Sequence, residues 1–298
     1  MLTVVREACQ NVKGGLVDIA SEFNENLRYI QHWCTCLASL ETTSDGLQIG
    51  AIRHVVTTTL ISLATIDPSF VLEGRALYAG VVGCWSFLDA ESQSVPVIPD
   101  LTYSPGCTTT RLMEICLHHR GAYEVLSEEV NNYSIHRRHL FGAASLRLQA
   151  IPTSIKHRRQ ITAAVYDINV ILQLFTVVCP VKVKWSYFIE EKAVFHLFTA
   201  LSHLATLPSI NTNELINVAN TSHRAIQWLM ASPVAIATTL RHAIEGGVLT
   251  VVSTTIGAVG AAPLNREYLF ALDDYLVLAC HTSYRPILRA MDKVVKTL

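Results

Sequence analysis

The stretch SYFIEEKAVFHLFTALSHLATL, residues Ser186 to Leu207, carries the signal on which the fold reading turns. Val194, Leu197, Phe198, Leu201, Leu204 and Ala205 recur at three- and four-residue spacing, while Lys192, His196, Thr199 and His203 fall on the opposite side. That periodicity belongs to an amphipathic α-helix and not to a strand, whose faces alternate every second residue.

Working outward, the same grammar repeats. Ile161, Val165, Ile168, Leu172 and Phe175 make one apolar stripe, and Val170, Ile171, Leu174, Val177 and Val178 make the second half of that segment apolar nearly all round. Such a helix belongs in the middle of a helical body, with Ser154 expected as the cap that starts it. Downstream, Ile287, Leu288, Met291, Val294, Val295 and Leu298 face one way, with Arg289, Asp292, Lys293 and Lys296 opposite. Upstream, 51–66, 69–88 and 108–130 read as helices; the Thr57-Thr58-Thr59 run weakens the first, because β-branched side chains lose rotamer freedom in a helix. Period-two alternation occurs only at Val181 to Trp185.

Prolines punctuate the row. After Pro105 they fall at 152, 180, 208, 233, 263 and 286, intervals of 23 to 30 residues that each hold one helix and a loop. The expected fold is therefore all-α: an irregular armadillo- or HEAT-like α-solenoid of serial antiparallel helices, with a closed helical bundle as the alternative. The proline- and serine-containing loop at 91–106 divides an N-terminal helical unit, 1–90, from a C-terminal stack, 107–298.

Composition narrows the function classes. The 298-residue chain is 50% apolar and 16% charged, with a formal net charge of −1 and a mean hydropathy of +0.33. Disordered, coiled-coil and basic nucleic-acid-binding profiles are excluded. The positive hydropathy raises the membrane question, and Gly246 to Asn265 is the longest strongly apolar uncharged stretch; its glycines and Pro263 favour a buried, glycine-interrupted helix pair over a span. The N-terminus lacks the basic start and apolar run of a secretory signal. Eight cysteines scattered in apolar context read as buried thiols of a reducing compartment.

Candidate chemistry is sparse. The chain has no Gly-x-Ser-x-Gly elbow, no phosphate loop, no Gly-x-Gly-x-x-Gly and no His-Glu-x-x-His. Cys107, Cys116, His118 and His119 are too poorly spaced for a zinc site, and Cys34-x-Cys36 lacks the two-residue gap that lets thiolates converge. No metal or cofactor is therefore expected. The acid pairs Glu128-Glu129, Glu190-Glu191 and Asp273-Asp274 are adjacent in sequence, so their side chains are expected to diverge. Arg137, Arg138, Lys156, Arg158 and Arg159 lie near helix starts, where they can meet an anion or an acidic partner. His196 and His203, seven apart on one face, can line a groove.

The run Ala243-Ile244-Glu245-Gly246-Gly247-Val248-Leu249, then Leu269, Leu276 and Tyr284-Arg285-Pro286-Ile287-Leu288-Arg289-Ala290, resembles the helical region that precedes a MYND-type zinc finger in proteins of mushroom-forming fungi. The resemblance covers about residues 160–298. The finger's paired Cys-x-x-Cys ligands are absent, so zinc binding does not carry over; the chain is expected to be either cut before the finger or a relative without one. The resemblance implies a helical scaffold for contacts with a protein partner, with a cytoplasmic or nuclear location, and gives no residue a catalytic role. The expected function is thus a non-enzymatic scaffold. The alternatives are an all-α enzyme or small-ligand binder with a histidine-lined pocket, and a membrane-associated helical protein.

Overall fold

In the computed structural model, the described residues are 29–30, 32–34, 36–37, 46–66, 81, 85, 107–118, 124, 128, 134–155, 159–178, 192–231, 236–259, 273–274, 277, 289 and 292. They are all-α, with no strand elements among them. The helices are α1 (Gly46–Ile66), α2 (Thr108–His118), α3 (Ser134–Ser154), α4 (Arg159–Val178), α5 (Ala193–Ala205), α6 (Thr212–Met230), α7 (Ile236–Glu245) and α8 (Val248–Val259). The chain divides into two compact units, 1–143 and 144–298. The 91–106 loop, the Val181 to Trp185 segment and most of the expected helices at 69–88 and 287–298 lie outside the described residues.

In the first unit α1 packs on α2. Val56, Leu60, Ile61, Leu63 and Ala64 are buried on α1, and Leu112, Met113, Cys116 and Leu117 on α2. The threonine run is accommodated because its hydroxyls bond back to the helix: Thr59 Oγ1 donates to the Val55 carbonyl at 2.8 Å and Thr58 Oγ1 to that of His54 at 2.9 Å. Each hydroxyl thereby enters the interior already satisfied.

In the second unit α5 is the hub, packing against α4, α6, α7 and α8. Its whole predicted stripe is buried, from Val194 to Ala205. The helix starts at Ala193, well after Ser186, and the preceding Lys192 has a left-handed φ of 51°. On α4 the apolar residues of both stripes that are described, Ile161 to Phe175, are buried, as expected of a central helix.

Two further starts and stops differ from the sequence expectation. Ser154 does not cap α4; it is the last residue of α3, which runs through Pro152. The proline sits in the final turn, and Ile155 N still donates to the Ile151 carbonyl at 3.2 Å. Pro152 offers no N–H to the Leu148 carbonyl and crowds it, so the disturbance falls on the last turn, where the helix ends in any case. The apolar stretch from Gly246 resolves into a break at Gly246-Gly247 and the 12-residue α8, which packs against α5, α6 and α7 and buries Val248, Leu249, Val251 and Val252. Among the described residues, no helix is long and apolar enough to cross a membrane.

Candidate functional site

Helix α6 is set by a capping box. Asn211 Oδ1 accepts from Glu214 N at 2.8 Å, and Asn211 N donates to Glu214 Oε2 at 2.9 Å, so two backbone donors that the helix leaves open are satisfied reciprocally. Leu215, Val218, Ala225, Ile226 and Leu229 then point inward.

Along one side, α6 is tied to α4. Asn169 Nδ2 donates to Thr221 Oγ1 at 3.0 Å, Arg224 Nη1 donates to Asn169 Oδ1 at 2.9 Å, and the Phe175 and Trp228 rings stack at 5.8 Å. Partners advance in the same sense on both helices, from 169 with 221 to 175 with 228. Helices α4 and α6 therefore run in the same direction.

His223 and Gln227, one turn apart on α6, meet two acids fifty residues downstream. His223 Nδ1 donates to Asp274 Oδ1 at 2.8 Å, and Gln227 Nε2 approaches Asp273 Oδ2 at 3.4 Å. The Asp274 side chain is only 3% exposed and that of His223 16%. Burial pushes the Asp274 carboxyl up to about 6, against the opposing pull of the His223 hydrogen bond. A carboxylate in this position is under-compensated: one imidazole hydrogen bond offsets part of its lost hydration.

One nitrogen of His223 and one oxygen each of Asp273 and Asp274 lie within 4.8 Å of one another, the one group of metal-ligating type among the described residues. The adjacent acids expected to diverge thus converge on one imidazole. Nothing local in the sequence announces this, since His223 flanks an ordinary apolar stripe and its partners are 50 and 51 positions away.

The sequence-selected residues are dispersed. His196 and His203 sit on α5, two turns and about 10 Å apart along the axis, too far to act on one atom. The amide nitrogen of Gln149 lies 3.1 Å from His196 Nε2. Burial, then the charge of Lys192, lowers the pKa of His196. His203 Nε2 is buried without a hydrogen-bond partner among the described residues. Arg137 and Arg138 lie in the first turn of α3 and Arg159 begins α4, but their side chains, like all of Lys156 and Arg158, are outside the described residues. Cys34, Cys107 and Cys116 are buried, as expected of thiols in apolar context; Cys36 is exposed, with His32 Nε2 3.6 Å from its sulfur.

A second feature lies on the surface near the N-terminus. Residues 29–30, 32–34 and 36–37 are helical. Ile30 and Cys34 are buried, whereas Tyr29 and Trp33, also one turn apart, are 69% and 50% exposed. No family model, curated protein or solved structure matches the chain.

Proposed function

We propose that the chain is a non-enzymatic helical scaffold whose outer helix faces bind a partner protein. The observation that carries this reading is the Tyr29 and Trp33 pair, two large aromatics one helical turn apart with half or more of their surface in water. Aromatic side chains offer large contact area at low conformational cost, and interface energy concentrates on them. Helical order supports the arrangement, because a turn anchored by Ile30 and Cys34 presents both rings on one face.

The polar groups favour the same view. The Asn169, Thr221 and Arg224 set joins α4 to α6, as structural ties do. The common direction of α4 and α6 is compatible with an armadillo-like stacking of the second unit and equally with a closed bundle, and a contact-making role is what a resemblance to MYND-type proteins would imply.

The test is affinity capture of tagged protein from native lysate, wild type beside the Tyr29→Ala/Trp33→Ala double variant. A protein retained by the wild type and lost by an equally helical variant is expected. Identical recovery with both, or recovery of nothing above background, overturns the reading.

A further inference from the structure

We propose that His223, Asp273 and Asp274 form a binding site for a divalent first-row metal cation, which pins the 273–274 segment to helix α6. Three different side chains supply the donors, and they come from two parts of the chain that fifty residues separate. The first is an imidazole nitrogen on a capped, packed helix. The other two are carboxylate oxygens, and all three donors fall within 4.8 Å of one another.

Ligands about 2.1 Å from a single ion sit about 3 Å apart when adjacent and about 4.2 Å apart when opposite. The 2.8 Å between His223 Nδ1 and Asp274 Oδ1 is close to the adjacent separation, so an ion can enter by replacing the proton these atoms share. Binding then releases that proton, as metal binding to imidazole generally does. Asp273, the third donor, is exposed, so it stands on the solvent side of the group.

Electrostatics point the same way. Asp274 is a nearly buried carboxylate whose hydrogen bond to a single imidazole offsets only part of its desolvation. A dication supplies the missing positive charge directly. One nitrogen with two carboxylates suits Mn2+ or Zn2+, and of these only Zn2+ is also drawn to thiolates. The site goes beyond the scaffold reading and neither requires nor excludes a partner.

Mn2+ is the probe, because the chain's eight cysteines would take Zn2+ elsewhere. The full-length protein is titrated with Mn2+ alone, and free ion is followed by its electron paramagnetic resonance signal. One bound Mn2+ per chain is expected for the wild type, with affinity reduced about tenfold or more in both His223→Gln and Asp273→Asn. Because Asp273 is exposed, its variant keeps the test independent of folding. No stoichiometric binding by the wild type, or unchanged affinity in Asp273→Asn, overturns the proposal.

Discussion

Replacing Gly246 with alanine sets a methyl group against backbone on two sides. The new Cβ would stand 2.6 Å from the Phe195 carbonyl oxygen, 3.0 Å from Phe198 Cβ and 3.1 Å from the His242 carbonyl oxygen. None of these is the free end of a flexible side chain, so relief requires α5 and the α7 to α8 corner to move apart, and α5 is the hub of the second unit. Overpacking of this kind costs about 1 to 3 kcal/mol. Gly247 adds a conformational reason: its φ is +102°, and a built Cβ would meet Ser202 Oγ at 2.6 Å and Ser202 Cβ at 2.8 Å. The left-handed backbone alone costs an L-residue about 1 to 2 kcal/mol. Gly246→Ala is therefore expected to remove about 1 to 3 kcal/mol and Gly247→Ala more, a large share of a domain stability of about 5 to 15 kcal/mol. The internal control is Gly257 on α8, where a Cβ meets nothing within 4 Å. There alanine is expected to be neutral or to stabilise by up to about 1 kcal/mol, since glycine is the poorer helix former. Urea titration of the three variants, followed by circular dichroism at the helical band, reads the differences as shifts in midpoint at constant slope. If Gly246→Ala and Gly257→Ala have the same midpoint, the close approach of α5 to the α7 to α8 corner is wrong.

Other consequences follow from the same packing. Asn211→Ala removes the side-chain half of the capping box, the bond that Asn211 Oδ1 accepts from Glu214 N, while its own N–H can still donate to Glu214; it is expected to cost about 1 kcal/mol in the same titration, and a change within a few tenths refutes a role for the cap. His242 is buried, and its pKa lies below 6.5 because of burial first and the Arg241 charge second, with Glu245 opposing and Lys192 adding slightly. The unfolded chain therefore takes up this proton before the folded one does, so stability falls as the pH drops below about 6.5 and levels off beneath the folded pKa. Unfolding free energies measured between pH 7.5 and 5 are expected to fall less in His242→Gln than in the wild type, and equal falls contradict the assignment.

The α5 stripe was legible because packing there is local and periodic: Val194 to Ala205 announce their buried face from spacing alone. The doubly apolar α4 was legible for the same reason. Helix ends were harder, because they depend on single backbone choices. Lys192 enters a left-handed conformation where the apolar pattern continues on both sides, and Pro152 is tolerated once it stands in the last turn of α3. The His223, Asp273 and Asp274 group was invisible, since it arises from tertiary approach over fifty residues and uses residue types that are ordinary on a polar face. The outward turn of Tyr29 and Trp33 was hidden for a related reason: Ile30 and Cys34 beside them are equally apolar in sequence, and only packing decides which pair is covered.

The high apolar content reads, in the described helices, as surface buried between neighbours; the exposed aromatic pair is the exception on which the functional reading rests. The most direct test places a photoreactive amino acid at Trp33, with the same group at the exposed Ser253 of α8 as control. Irradiation in native lysate followed by mass spectrometry is predicted to give a discrete protein adduct from position 33 that the control lacks. The same adducts from both positions, or none from position 33, would contradict the account.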